Sequence, residues 1–151
     1  MLIVETPAAM ESYVGKSIGF SEWLVIDQKM IDGFADATGD HQWIHVDVER
    51  ARKEMPGGKT LAHGYLLLSL LPRLMPEIVR IEKRSRSLNY GSNKVRYILP
   101  VPAGARVRLS VTLQAVDAMA GGQRFTFSTA LEMEGADKPA MVAEVVTVSY
   151  D

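Results

Sequence analysis

The chain has 151 residues, with 17 Lys and Arg against 18 Asp and Glu, for a formal net charge of −1. This near-neutral balance provides no strongly basic face for a phosphate backbone, so we expect no nucleic-acid partner. The absence of Cys excludes disulfides, iron–sulfur clusters, thiolate zinc sites and a cysteine nucleophile. The length is typical of one domain, and we predict that residues 1–151 form a single one.

Targeting and membrane signals are weak in this sequence. The longest apolar stretch, Tyr65 to Leu71, is far shorter than the roughly 20 residues that span a bilayer. The start, MLIVETPAAM, has no basic leader, and Glu5 and Pro7 interrupt its apolar run. We therefore expect no membrane association and a cytoplasmic location.

The first third of the chain combines a strand with short helices. Residues 18–26 have the pattern of a first strand. Asp27 follows in the position of an N-cap, for a helix that extends through about Ala37. The next segment, GDHQWIH (residues 39–45), is predicted to be irregular. Asp47 then resembles a second N-cap before another short helix.

The longest apolar helix candidate extends from Gly64 to about Val79. Its leucines, together with Tyr65, occupy every side of the helical circumference, and such a helix is expected to be buried on every side. Pro72 and Pro76 lie inside it, and interior prolines remove helix hydrogen bonds. We therefore predict a bend or an early end.

The second half of the chain alternates polar and apolar residues with the period of two that is typical of β-strands. The main segments are ARVRLSVTLQA (105–115), QRFTFSTALEM (123–133) and MVAEVVTVSY (141–150), with Val142, Val146 and Val148 expected on one side of the last. Turns rich in Gly and Pro separate these segments, as in an antiparallel meander. A sheet with one apolar face and one apolar helix cover each other, which predicts an α+β fold.

Asp40 and His45 are the first candidates for chemistry. Imidazole titrates near neutral pH, and an ionised carboxylate accepts a proton or orients water, so the two residues form a possible acid–base pair. An Asp after Gly is also typical of a turn, and a lone His is often a structural hydrogen-bonder. Spacing alone leaves both interpretations open.

His63 and Gly64 stand where the apolar helix begins. A helix N-terminus offers unpaired N–H groups that suit a developing oxyanion, and Gly64 allows a carbonyl to approach the backbone closely. Tight packing at the helix entry is the alternative.

A zinc site made from the three histidines and a nearby carboxylate was also considered. The histidines are His41, His45 and His63, with Asp40 or Asp47 as the carboxylate. Their spacing matches no compact ligand motif, so we expect no metal.

Two motifs, in order, resemble those of MaoC-like dehydratases and (R)-specific enoyl-CoA hydratases. They are FADATGDHQWIHVD (residues 34–47) and KTLAHGYLLLSLL (residues 59–71). Gln42 and Trp43 replace the usual Asn-Pro, which resembles the nodulation-protein-N-type branch. NYGSNKVRYILPVPAGARVR (residues 89–108) resembles a later block of that branch. The resemblance covers about residues 16–149.

This resemblance implies a hot-dog fold, in which an antiparallel sheet wraps a long central helix. It also implies a homodimer with the substrate tunnel near the subunit interface. The implied reaction is the reversible syn hydration of a trans-2-enoyl-CoA to an (R)-3-hydroxyacyl-CoA, with no metal or redox cofactor. The acyl group is carried by CoA or by an acyl carrier protein.

Matched residue by residue, Asp40 and His45 correspond to a catalytic pair that holds one water. Gly64 corresponds to the glycine whose N–H binds the thioester oxygen. Further substrate-binding residues are expected next to these motifs and on a strand that borders the channel: Ile44, His63, Tyr65, Asn89, Tyr90 and Gly91.

Several residues depart from the family pattern or stay open. Pro72 aligns with a helix Ser of some members, with Ser69 one turn earlier. Trp43 either narrows the acyl channel or packs at an interface. A basic cluster of Arg80, Lys83, Arg84 and Arg86 either meets CoA phosphates or forms a solvated loop.

A thioesterase and a non-catalytic acyl-thioester-binding subunit are the alternative functions.

Overall fold

Short helices dominate the first half of the chain, and three long strands end it. A computed structural model describes residues 1–151. The helices are α1 (Gln28–Thr38), α2 (Trp43–Val46), α3 (Val48–Glu54), α4 (Gly64–Ser69) and α5 (Leu71–Ile78), with 3-10 helices at Pro7–Tyr13 and Pro56–Gly58. The strands are β1 (Leu2–Val4), β2 (Ser17–Phe20), β3 (Leu24–Val25), β4 (Val79–Ile81), β5 (Arg86–Ser92), β6 (Arg96–Tyr97), β7 (Arg106–Met119), β8 (Gly122–Met133) and β9 (Met141–Tyr150).

Seven strands form one antiparallel sheet in the order β2-β7-β8-β9-β5. β3 extends the sheet along β7, and β6 extends it along β9. β1 and β4 form a separate parallel pair. Helix α5 packs against β2 and β7, which places the helical layer on one face of the sheet.

The predicted alternation is confirmed in β7 and β8. Val107, Leu109, Val111 and Leu113 are buried, and the residues between them are more exposed. In β9 the prediction is also confirmed, since Val142, Val146 and Val148 share one face. The core side is formed by Met141, Ala143 and Val145, whereas Val142, Val146 and Val148 share the opposite face. Both faces of β9 carry apolar residues, so its period-two pattern does not identify the core side.

The predicted first strand, residues 18–26, is in fact two short strands, β2 and β3. The Ser21 hydroxyl between them accepts a hydrogen bond from the Leu109 main-chain N–H at 2.8 Å, which interrupts the ladder. Both predicted N-caps are confirmed, because Asp27 accepts from Met30 N–H at 2.8 Å and Asp47 from Arg50 N–H at 2.9 Å.

The central helix is interrupted, as its prolines predict. Helix α4 ends at Ser69 and α5 begins at Leu71, with Pro72 in the first turn of α5, where its missing N–H costs no helix bond. The expectation of burial on every side is wrong in this chain. Tyr65 is 72% exposed, and Ser69 and Pro76 are also exposed. The helix therefore presents one open face beside its buried leucines.

One cluster of 26 buried residues joins the helices to the sheet. Its largest fully buried members are Phe125, Met10, Ile26, Ile31 and Leu74. None of the helices is both long and apolar enough to cross a membrane.

Candidate active site

Three segments meet at the candidate site: the end of α1, the short helix α2 and the entry to α4. Gly39 ends α1 in the left-handed conformation, with φ 80°, which suits Gly and turns the chain at Asp40. Asp40 is exposed. The segment expected to be irregular contains α2, which turns His45 inward, and His45 is 8% exposed.

The hydrogen bond of His45 Nδ1 defines the tautomer of its ring. Nδ1 lies 2.6 Å from the main-chain oxygen of Leu61. A carbonyl oxygen only accepts, so Nδ1 carries the proton that is donated. In the neutral ring Nε2 is therefore unprotonated and able to accept a proton.

His63 lies directly against His45. The two rings are stacked, with centroids 3.8 Å apart and 23° between their planes. His63 is 2% exposed, and its Nε2–H donates to the main-chain oxygen of Asp40 at 3.0 Å. Its Nδ1 is buried without a hydrogen-bond partner.

The three side chains form a tight group. One donor atom each of Asp40, His45 and His63 lies within 4.8 Å of the others. The Asp40 carboxylate makes no direct ion pair with either ring. Two hydrogen bonds of about 2.8 Å to one water, at a tetrahedral angle, span about 4.6 Å. The group therefore has the spacing of a site for one bridging water.

Two histidines and a carboxylate are also a common set of zinc ligands, so this group was tested for a metal. Metal–nitrogen bonds of about 2.0–2.1 Å require the ring lone pairs to converge on one point. Because the rings of His45 and His63 are stacked, with centroids 3.8 Å apart and 23° between their planes, their in-plane lone pairs lie in two separate, nearly parallel planes. The nitrogens left free, Nε2 of His45 and Nδ1 of His63, would therefore have to reach one metal from two different planes. The geometry fits a metal poorly.

Gly64 begins α4 immediately after His63. As the first residue of the helix its N–H has no intrahelical acceptor, and His63 makes no side-chain cap. A Cβ at this position would lie 3.1 Å from the Tyr97 ring. The absence of a side chain thus allows Tyr97 to pack closely against the start of α4.

Tyr97 and Tyr65 form an edge-to-face pair beside Gly64. Their ring centroids are 6.4 Å apart, with an interplanar angle of 74°. Desolvation by burial raises the pKa of Tyr97, and the neighbouring Tyr65 raises it further.

Ile44 is half-buried, and its carbonyl oxygen accepts from Leu61 N–H at 2.9 Å.

His41 lies outside the group. Its Nε2 is 2.9 Å from the Asp36 carboxylate, and this hydrogen bond raises the pKa of His41. Trp43 is covered by the Arg50 guanidinium, 4.0 Å from the ring centroid.

A cavity of about 630 Å³ lies between the helices and the far end of the sheet. Most of its side chains are apolar, including Leu68, Leu71, Met75, Phe125 and Phe127. Asn89, Tyr90 and Gly91 also line it, whereas Asp40, His45 and Gly64 do not. Leu68 lies one helical turn after Gly64, on the same side of α4, so the cavity starts about 6 Å along the helix axis from Gly64.

Comparisons with known proteins identify the family of this chain. The family model described as MaoC like domain matches residues 9–134. 3-Hydroxyacyl-thioester dehydratase Z of Mycobacterium tuberculosis is 46% identical over 147 residues, which cover 97% of each chain. The chain belongs to the MaoC-like dehydratase family. Nodulation protein N of Rhizobium leguminosarum bv. viciae is 41% identical over 93% of this chain and 89% of the relative. As a dehydratase of this family, the protein is a hydro-lyase.

A solved structure confirms the predicted α+β hot-dog fold of this MaoC-like dehydratase. The (R)-hydratase from A. caviae involved in PHA biosynthesis superposes with a TM-score of 0.68 over 89% of this chain and 94% of that structure, at 22% identity. The predicted family and its nodulation-protein-N-type branch are likewise confirmed.

Sequence reasoning missed the residues that hold the MaoC-like site in place. The Gln28 amide Nε2–H donates to the main-chain oxygen of His45 at 2.7 Å, and the Thr60 hydroxyl donates to Gln28 Oε1. These residues lie 17 and 32 positions apart along the chain. The local sequence shows only that Gln28 follows the Asp27 cap in the first turn of α1. It does not show that Gln28 contacts His45.

The helix position expected to carry a Ser is occupied by Pro72. Ser69 lies one turn earlier, but its hydroxyl already donates to the Tyr65 carbonyl at 2.7 Å, so that proton is not free to bond another group. Both Ser69 and Pro72 line the cavity, so neither of these two residues offers it a free hydroxyl donor.

Proposed function

We propose that this protein is an (R)-specific enoyl-CoA hydratase, which interconverts trans-2-enoyl-CoA and (R)-3-hydroxyacyl-CoA. The observation that carries the proposal is that a ring nitrogen of His45 and an Asp40 carboxylate oxygen lie within 4.8 Å of each other, while the Nδ1–H of His45 is bonded to Leu61. The stereochemistry and the CoA thioester rest on family membership and on relatives whose names include a thioester dehydratase and an (R)-hydratase.

In the proposed reaction, one water lies between Asp40 and His45. Its oxygen attacks C3 of the enoyl thioester while Asp40 accepts one water proton. His45 orients the water through Nε2, then takes that proton from Asp40 at Nε2 and delivers it to C2 on the same face, which completes syn addition. The product gains one hydroxyl and one hydrogen, and both residues return to their starting protonation.

The Gly64 N–H is proposed to bind the thioester oxygen. Attack at C3 places negative charge on that oxygen as an enolate, and a fixed amide donor stabilises this charge more than the neutral carbonyl. The N–H is free of an intrahelical acceptor and follows His63 directly, which supports this role. The proposed reaction uses no metal, because the stacked rings present poorly converging ligands. It uses no redox cofactor, because addition of water causes no net oxidation or reduction of the substrate.

We assign the acyl chain to the cavity of about 630 Å³. Its volume lies within the range of about 300–1,000 Å³ that is usual for ligand pockets, and apolar side chains dominate its wall. Asn89, Tyr90 and Gly91 on β5 border it, as expected for a strand along the channel. Ile44 and Tyr65 are assigned to the thioester end, next to His45 and Gly64.

The CoA phosphates are assigned to Arg84. Lys83 pairs with Glu5, and the Arg86 guanidinium lies 4.1 Å from the Tyr150 ring centroid, so these two cations already have partners. Arg84 lines the cavity and is its only charged lining residue. CoA therefore meets a cation at the cavity rim, where phosphate contacts are expected.

A homodimer is proposed through the β5 edge. β5 pairs with β9 on one side only, and every residue of β5 is exposed. Leu88 and Tyr90 are 52% and 70% exposed along this edge. An open edge strand with exposed apolar groups favours pairing with another strand. In a two-fold symmetric dimer, β5 of each copy would meet β5 of the other, so neither edge stays open.

The proposed function is tested with enoyl-CoA thioesters of several chain lengths. Hydration removes the absorbance of the conjugated enoyl thioester, and dehydration of separate (R)- and (S)-3-hydroxyacyl-CoA gives the stereochemistry. We expect turnover with the (R) product only. Thiol release from a saturated acyl-CoA would instead support a thioesterase. Tight acyl-CoA binding without turnover would support a binding subunit. Either result would overturn the proposal.

A further inference from the structure

The buried ring of His63 contacts both members of the proposed acid–base pair. Its Nε2–H donates to the Asp40 main-chain oxygen at 3.0 Å, and its face stacks on the His45 ring at 3.8 Å. The Phe34 ring packs on it at 4.9 Å. With 2% exposure, His63 is closed to a substrate, although the sequence places it among the substrate-binding residues.

The bond from His63 is the best-formed hydrogen bond of Asp40. The Asp40 N–H reaches the Thr38 hydroxyl at 3.3 Å, and Gln42 N–H reaches the Asp40 carboxylate at 3.4 Å, both long for hydrogen bonds. Asp40 is exposed and follows a glycine. Without the bond from His63, the Asp40 main chain keeps only the long bond from its N–H to Thr38.

The unpartnered Nδ1 of His63 indicates which form of the ring is present. Nε2 carries the proton that is donated to Asp40. A second proton on Nδ1 would be buried with no acceptor, which is costly. The neutral ring avoids this cost. It also keeps a second positive charge away from His45, which gains charge while it relays a proton.

We propose that His63 is a positioning residue, whose neutral ring fixes the Asp40 main chain and the plane of the His45 ring together. This inference rests on the proposed hydratase function of Asp40 and His45. His63 itself transfers no proton and touches no substrate.

Two variants separate the contacts of His63. His63→Phe keeps a flat ring on His45 and removes the donor to Asp40, whereas His63→Gln keeps an N–H near the position of Nε2 and removes the ring. We expect His63→Phe to lower kcat about tenfold or more with KM changed less than about threefold, because the substrate contacts remain. We expect His63→Gln to recover part of this loss. A folded His63→Phe variant with kcat within about twofold of the wild type overturns the proposal.

A double-mutant cycle tests whether His63 acts through Asp40. In the Asp40→Ala background, His63→Phe should lower the residual kcat by less than about threefold, because the group it positions is absent. An equal loss in both backgrounds would assign the effect to general packing and contradict the proposal.

Nitrogen NMR of the histidine rings gives a readout that requires no turnover. We expect His63 to be protonated at Nε2 only and His45 to be protonated at Nδ1, and His63→Phe to shift the His45 ring signals and the Asp40 amide signal. If the wild type hydrates no enoyl-CoA, the proposed function fails while these signals still test the positioning role. A proton on His63 Nδ1, or unchanged His45 and Asp40 signals, overturns that role.

Discussion

His45 donates its Nδ1–H to the main-chain oxygen of Leu61 at 2.6 Å, and this bond joins the two halves of the site. Leu61 in turn donates its N–H to the Ile44 carbonyl at 2.9 Å, so the segments before α3 and before α4 are bonded in both directions. One consequence is that Nε2 of the neutral ring is the nitrogen left without a proton, so it is able to accept one. The proposed chemistry depends on this tautomer.

Replacing either member of the proposed pair should remove most of the turnover. Asp40→Asn keeps the size of the side chain but removes the proton acceptor, and His45→Gln removes the relay. General acid–base catalysis contributes typically about 10²–10⁴-fold, so each kcat should fall within that range. The double variant should lose no more than about tenfold further, because the two residues act as a unit.

Asp47→Asn is the matched control for Asp40→Asn. Asp47 lies two residues after His45, is exposed, and caps α3 through Arg50 N–H. Asn is as good an N-cap as Asp, so this variant should keep both stability and kcat. Equal losses in Asp40→Asn and Asp47→Asn would contradict a specific role for Asp40.

The link from Thr60 through Gln28 to His45 should affect activity from outside the reacting groups. Thr60→Val removes the hydroxyl that donates to Gln28 Oε1. The partly buried amide oxygen of Gln28 then has no donor from residue 60. An unsatisfied buried polar group costs about 1–3 kcal/mol, so the free energy of unfolding should fall by a similar amount, and kcat should fall several-fold. Thr60→Ser keeps the hydroxyl and should retain both the free energy of unfolding and kcat. Urea unfolding and initial rates measure the two effects, and identical behaviour of the two variants would argue against the link.

The parts of this fold that can be predicted from sequence are those set by local chemistry. Asp27 and Asp47 cap their helices because a short carboxylate binds the free N–H groups within three residues. The alternation in β7 and β8 follows directly from one face packing on the core. The break near Pro72 follows from the missing N–H.

The parts that cannot be predicted depend on partners distant along the chain. Gln28 gives no local signal of its bond to His45, and Ser21 gives none of its bond to Leu109, which divides the predicted first strand. For the candidate site, motif order placed Asp40, His45 and His63 in one region, and the structure brings them together. The environment of His63, buried and bonded to the Asp40 carbonyl, requires the tertiary fold.

His41 should titrate above its ordinary pKa of 6.5, because the Asp36 carboxylate stabilises its charged form. The raised pKa means that the interaction stabilises the folded state fully below the unfolded pKa, and that this contribution is lost as pH rises through the folded pKa. In Asp36→Asn, the NMR titration midpoint of His41 should fall towards 6.5. The difference in Tm between wild type and Asp36→Asn should be larger at about pH 5.5 than at about pH 8.5. An unchanged midpoint would show that the pair does not form in solution.

Chelation should leave the enzyme active. Because the stacked rings of His45 and His63 place their free nitrogens in two nearly parallel planes, these converge poorly on one metal, and we expect none to be needed. Dialysis against EDTA should change kcat by less than about twofold, with elemental analysis showing no stoichiometric metal in the purified protein. Loss of activity that added zinc restores would instead identify Asp40, His45 and His63 as metal ligands.

Gly64→Ala should reduce activity much more than stability. Gly64 has no positive φ, so Ala fits its backbone, and the close contact that a Cβ would make is 3.1 Å to the Tyr97 ring. Tyr97 is 45% exposed, so its ring has room to move. The added methyl group lies beside the N–H proposed to bind the thioester oxygen, and we expect kcat/KM to fall at least about tenfold with Tm changed by only a few degrees. Gly64→Ala/Tyr97→Ala removes the crowding and should not restore kcat/KM beyond that of Tyr97→Ala alone. Full activity of Gly64→Ala, or complete rescue in the double variant, would assign the glycine to Tyr97 packing and not to oxyanion binding.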